Sequence, residues 1–139
     1  MKKNETIQSV LNLNKVVFDK IEFKRIGFGD SSEHELEFEI QSNIAQRQDD
    51  EVYKITLLFV GKKPEEYTLE ISLTGFFTLE QFEELSEELK HSIITKNTVA
   101  ILMPYLRSEI SLLTAQPGLE CIVLPPFNIN KMVKNKDKK

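Results

Sequence analysis

Thiol and imidazole side chains are few in this chain, and they are scattered. One cysteine, Cys121, and two histidines, His34 and His91, are the whole supply of thiol and imidazole in 139 residues. Nucleophilic catalysis needs Cys121 or a serine held beside a base. His34 flanks an alternating strand pattern and His91 follows a glutamate-rich helical one, so no spacing sets either beside Cys121. Cys121 therefore reads as a small buried apolar residue. One cysteine and two distant histidines make no ligand cluster of zinc-site spacing, so no metal is expected. Gly27-Phe28-Gly29 lacks the third glycine and the helix start of a phosphate loop. The many glutamates sit at the spacings of a solvated face, which gives no carboxylate pair for acid–base work. The expectation is a protein that is not an enzyme and needs no cofactor, with a small-ligand carrier or enzyme as a remote third reading.

The bulk numbers describe one soluble domain. Hydrophobic residues are 40% and charged residues 29%, ordinary for a globular chain of this length. The net charge of −4 is uneven: Lys131 to Lys139 holds five lysines and one aspartate, or +4, leaving about −8 on the rest. An acidic body argues against nucleic acid as partner. The lysine-rich end, 131–139, is expected to be a disordered tail after a single domain spanning 1–130. No run of 18 apolar residues occurs and no apolar segment follows the basic start, so neither membrane insertion nor a signal peptide is expected. A single cysteine suits a reducing compartment, and the expected location is the cytoplasm.

The first half carries strand signals. Val10 to Phe23 is rich in β-branched and aromatic residues, but its alternation breaks: Leu11, Leu13, Val17, Ile21 and Phe23 share one parity, Val16 and Phe18 the other. A bulge or burial on both faces would account for that. Arg25 to Ser32 reads as a loop. Glu35 to Ile44 alternates cleanly, with Leu36, Phe38 and Ile40 opposite three glutamates. Tyr53, Ile55, Leu57 and Phe59 form the next set, and Tyr67, Leu69, Ile71 and Leu73 the fourth, with turns at 46–51 and 61–66. Short turns make strands two to four an antiparallel meander.

The period then changes. Thr78 with Gln81 matches a capping box, and Leu79, Phe82, Leu85 and Leu89 recur at helical spacing. A second helix is expected from about Asn97 to Ala115, with Pro104 inside it and Gln116-Pro117-Gly118 ending it. Its apolar residues run nearly all the way round, more than one sheet face can cover, which predicts an oligomer. Leu119 to Ile129 is apolar but contains Pro125-Pro126, so it is an extended segment that either marks a contact site or caps the core.

Four stretches resemble the SecB export-chaperone family. Ile101-Leu102-Met103-Pro104-Tyr105-Leu106-Arg107 is similar to the Ile-Leu-Phe-Pro-Tyr-Ala-Arg of its long helix, with Met103 and Leu106 substituted. Leu124-Pro125-Pro126-Phe127-Asn128 resembles its apolar loop. Asp49 to Leu57 resembles its Asp-Asp-Val-Tyr strand entry, and Gly75-Phe76-Phe77 its Gly-Ile-Phe at the sheet-to-helix junction. The resemblance implies an α+β fold: a four-stranded antiparallel sheet with two or three helices packed on one face. It implies an ATP-independent holdase that binds unfolded or precursor polypeptides through an apolar groove. That groove would draw on Ile26, Phe28, Phe77, Leu119, Ile122, Leu124 and Phe127, with Phe28, Leu124 and Phe127 expected to line it. It implies a homo-oligomer, a dimer of dimers, held through Val99, Leu102, Met103, Leu106, Ile110 and Leu113 of the long helix. The SecA motor is a further implied partner, but two acidic docking positions of the family fall at Lys20 and Lys24 here. That reversal favours an alternative, a dedicated chaperone of one partner such as an antitoxin. Beyond Phe127 only Ile129, Met132 and Val133 are apolar, so the family's final amphipathic helix is nearly absent.

Overall fold

A computed structural model of the chain describes residues 11–29, 34–46, 52–80 and 86–125. Four strands, β1 (Leu11–Arg25), β2 (Glu37–Gln46), β3 (Val52–Lys63) and β4 (Tyr67–Leu79), form one antiparallel sheet in the order β1-β4-β3-β2. The meander of strands two to four is as expected, and β1 returns to lie beside β4. Alternation places Tyr53, Ile55, Leu57 and Phe59 of β3 and Tyr67, Leu69, Ile71, Leu73 and Phe77 of β4 in one buried layer.

The broken alternation of β1 has a physical cause. The register slips between Leu13 and Lys15 and again between Phe18 and Lys20. Each slip leaves one extra residue and flips the parity that follows. Leu11, Leu13, Val16, Phe18, Ile21 and Phe23 then stand opposite Leu79, Phe77, Gly75, Leu73, Ile71 and Leu69, all on the core side. The two extra residues are Asn14 and Asp19. Asn14 Nδ2 donates to Thr78 Oγ1 at 3.0 Å, and Asp19 Oδ2 accepts from the hydroxyls of Ser72 and Thr74. A short polar side chain at each bulge thus gains an anchor on β4.

One face of this sheet carries a continuous helical run: α1 (Glu87–Ser92), one π-helical turn (Ile93–Asn97) and α2 (Thr98–Thr114). The helix start differs from the sequence reading. Thr78 and Leu79 are the last residues of β4, and Gly75-Phe76-Phe77 lies inside that strand rather than at a junction. The inward parity of Gly75, Phe77 and Leu79 pays into the sheet before helical periodicity can compete. The N-cap is Ser86, whose Oγ accepts from Leu89 N at 3.1 Å, with Glu87 and Glu88 in the first turn. Phe82 and Leu85 lie outside the described residues. In place of a break before Asn97, the chain widens into the π turn, where the Thr95 and Thr98 hydroxyls bond back to the His91 and Ile94 carbonyls. Helix α2 ends where expected, and Pro104 sits within it on an exposed position.

Helix α2 packs on β3 and β4 through Val99, Leu102, Met103, Leu106 and Ile110, all buried in this one subunit. Gly75 makes the close approach possible: a Cβ there would lie 2.7 Å from a Leu102 methyl and 2.9 Å from the Phe77 ring.

Candidate functional site

The β3–β4 turn, Pro64-Glu65-Glu66, gathers two segments from opposite ends of the sequence. Glu65 adopts φ 68° there. After β1 the chain crosses this turn: Ile26 N and Gly27 N donate to Glu66 O at 2.9 and 3.3 Å, and Gly29 N donates to Glu65 O at 2.9 Å. Contact is so close that a Cβ on Gly27 would lie 2.6 Å from Glu65 O. This leaves Ile26 exposed and Phe28 90% exposed, with the Arg25 guanidinium 5.1 Å from the Phe28 ring centre.

After α2 the second segment, 119–125, runs back along the helix and is stapled to it by side chains. Arg107 Nε and Nη2 donate to Leu124 O at 3.1 and 2.9 Å, and Ser111 Oγ donates to Ile122 O at 2.7 Å. Thr114 Oγ1 accepts from Ile122 N at 2.9 Å. Leu119 and Ile122 pack half-buried on the core, Leu124 is buried, and Val123 points away from it, 76% exposed. The segment caps the core with Leu124 and leaves Val123 exposed. A cleft of about 270 Å³ lies between segment and helix, lined by Pro104, Arg107, Ser108, Ser111, Val123 and Leu124. Lys63 Nζ meets Glu120 Oε1 at 3.6 Å and Glu66 Oε2 at 3.8 Å, so this segment is also tied to the turn end of the sheet. Beside them, burial pushes the Tyr67 hydroxyl up to about 12, helped by the charges of Glu66 and Glu120.

The nominated groove residues therefore divide. Ile26 and Phe28 lie on the segment that crosses the turn, while Leu119, Ile122 and Leu124 lie on the segment along α2, which meets the turn end of the sheet through Glu120. Phe77 lies on neither: it pairs with Tyr53 and Leu13 toward the far end of β4 and is wholly buried, because the core parity of β4 takes it. Phe127 lies outside the described residues. The helix residues nominated for an oligomer contact are corrected more sharply. Val99, Leu102, Met103, Leu106 and Ile110 have no surface left for a partner, since they are the stripe that the sheet claims first, and Leu113 packs half-buried on the same core. The opposite stripe, Tyr105, Ser108 and Leu112, faces outward, with Leu112 68% exposed, while Ile101 packs half-buried against the core. Cys121 is exposed, not buried as its type suggested, with Sγ 3.5 Å from Ser111 O. Val123, Arg107, Ser111, Thr114, Lys63 and Glu120 were missed. Lys63 carried a signal, since it continues the inward parity of β3; the three polar positions on an apolar helix were another.

On the outer face of the sheet, Lys20 pairs with Ser72 and Lys24 with Thr68 in register. The Lys20 ammonium lies 3.2 Å from Glu70 Oε1 and 3.7 Å from Glu22 Oε1, and the hydrogen bond to Glu70 raises its affinity for its proton. Among the described residues no group of three or more His, Cys, Asp or Glu is arranged to hold a metal. No described helix is long and apolar enough to cross a membrane.

The model of the family described as preprotein translocase subunit SecB matches residues 7–139. The chain belongs to the SecB family. In fold it is similar to a Mycobacterium tuberculosis SecB-like chaperone solved with a peptide of the HigA1 antitoxin, at a TM-score of 0.69 and 11% identity, over 88% of this chain and 91% of that one. It is also similar to a Streptococcus agalactiae protein of unknown function, at a TM-score of 0.52 and 11% identity, over 83% of this chain and 96% of that one. An uncharacterized protein of Methanocaldococcus jannaschii is 37% identical over 67 residues, 48% of this SecB-family chain. That match spans 41% of the relative's length.

Proposed function

We propose that this SecB-family chain is an ATP-independent holdase that binds unfolded or precursor polypeptides, in the cytoplasm, across the two segments at the β3–β4 turn. The observation behind this is that residues 26–29 cross that turn and Glu120 of the 119–124 segment reaches Lys63 beside it, with Phe28 and Val123 exposed. Unfolded chains expose apolar side chains that folded ones hide. Covering such area releases about 25 cal/mol per Å² with little regard to sequence. Each contact is weak, so repetition over several subunits supplies the affinity, by roughly 10² to 10⁴ when later contacts become intramolecular.

Copies of the chain assemble through the outward stripe of α2 rather than the inward one, toward the dimer of dimers that the family resemblance implies. Tyr105, Ser108 and Leu112 recur at spacings of three and four, the seam period of paired helices.

Phe28 and Val123 are the residues to change, since both are exposed and the buried Leu124 would confound binding with stability. A Phe28→Ser, Val123→Ser variant is expected to bind a labelled unfolded polypeptide at least about tenfold more weakly, with unchanged thermal stability. Equal affinity for variant and wild type would remove these residues from the site. Failure of the wild type to capture any unfolded polypeptide would end the holdase reading.

A second reading is favoured by one observation. Lys20 and Lys24 occupy the outer sheet face, and Lys20 is already paired with Glu70 and Glu22. A face so altered supports service to one dedicated partner, such as an antitoxin, instead of docking to the SecA motor. Affinity for SecA that appears only in a Lys20→Asp, Lys24→Glu variant is the expected result; wild-type docking would exclude the dedicated role on this ground.

A further inference from the structure

Lys63 is out of place in its layer. It continues the inward row Tyr53, Ile55, Leu57, Phe59 and Gly61 of β3, and it is 2% exposed. An ammonium in that position loses its hydration, and only opposite charge at close range offsets the loss. Two carboxylates supply it, and they belong to different parts of the chain. Glu66, 3.8 Å away, is as buried as Lys63 and belongs to the β3–β4 turn. Glu120, 3.6 Å away, sits on the segment that returns from α2 and is 69% exposed. The same turn also holds residues 26–29, through the Glu65 and Glu66 carbonyls and the close seating of Gly27.

We infer that Lys63 is a positioning residue for the polypeptide-binding end: its buried ammonium ties Glu120 to the turn that anchors residues 26–29, so one turn fixes both walls. This rests on the holdase reading above. Glu66 pairs with Lys63 on the sheet side, while Glu120 is the removable half of the link. The backbone of 119–124 is bonded to α2 by Arg107, Ser111 and Thr114; Leu119, Ile122 and Leu124 pack on the core, and Glu120 adds the tie to the turn end of the sheet. A wall held in advance spares a bound polypeptide the ordering of that wall, which appears as affinity.

Exposed Glu120 gives a test that spares the fold. The full chain is compared with Glu120→Gln and Glu120→Asp for affinity toward a labelled unfolded polypeptide, amide hydrogen exchange and melting temperature. Glu120→Gln is expected to bind about fivefold more weakly and to exchange the amides of 119–124 faster. Its melting temperature should stay within about 2 °C of wild type. Glu120→Asp, which keeps the charge, should stay within about twofold of wild type. Raised salt should narrow the gap between wild type and Glu120→Gln. Unchanged exchange in Glu120→Gln, or equal losses in Gln and Asp, overturns the inference. Capture of no unfolded polypeptide by the wild type instead defeats the holdase reading, and the exchange measurement then decides the link by itself.

Discussion

Tyr67 shows how a single buried polar atom behaves in this layer. Its ring stacks on Phe23 at 5.0 Å between centroids, and its hydroxyl has no hydrogen-bond partner among the described residues. A buried hydroxyl left unsatisfied costs about 1–3 kcal/mol, so Tyr67→Phe is expected to leave stability unchanged or raise it in urea unfolding. The same residue predicts an alkaline limit. Its hydroxyl is raised from 10.0 to about 12 in the folded chain, so between those values the native state holds a proton that the unfolded state has lost. Stability from this group is full below pH 10 and falls as pH rises toward about 12. Tyr67→Phe should flatten that part of the stability-against-pH curve. Cys121 teaches the opposite lesson about residue type: its small apolar character pointed inward, but the chain direction set by Ser111 and Thr114 leaves the thiol outside.

Bulges and caps are what the elements add. β1 looked irregular because parity was counted straight through Asn14 and Asp19; with both set aside as extra residues, its apolar set apart from Val17 falls on one face. The helical run shows the reverse problem. Leu79 fits two periods, and it went to the strand because the inward row of β4 is already in place beside β3 and β1. The start then passes to Ser86, whose hydroxyl takes one of the free N–H groups of α1. Ser86→Ala is expected to cost about 1 kcal/mol, read as a lower melting temperature with polypeptide binding unaltered.

At the scale of the molecule, the sheet's core side is shared unequally. Helix α2 covers β3 and β4, while Phe18 and Ile21 of β1 and Phe38 and Ile44 of β2 stay part-exposed on the flanks. The outward stripe of α2 is uncovered as well. Leu112→Lys places a charge in that stripe without touching the subunit core, so the chain should shift to a smaller assembly in multi-angle light scattering and keep its helical circular dichroism. An unchanged mass would show that copies of the chain meet elsewhere.

What the sequence determined by itself is whatever local periodicity and composition fix. Alternation gave the strands and their inward faces, the dense apolar helix could not be missed, and the want of any nucleophile–base or metal spacing was plain from Cys121, His34 and His91. Four short stretches carried the SecB resemblance, and the family match bears it out. Tertiary structure alone decided which stripe of α2 the sheet would take, that Phe77 belongs to the core, and that Glu120 meets Lys63 beside the turn that holds residues 26–29. The reason is that periodicity reports only that a face is apolar. Which surface buries that face depends on contacts between residues far apart in the chain, and those exist only once the sheet has closed.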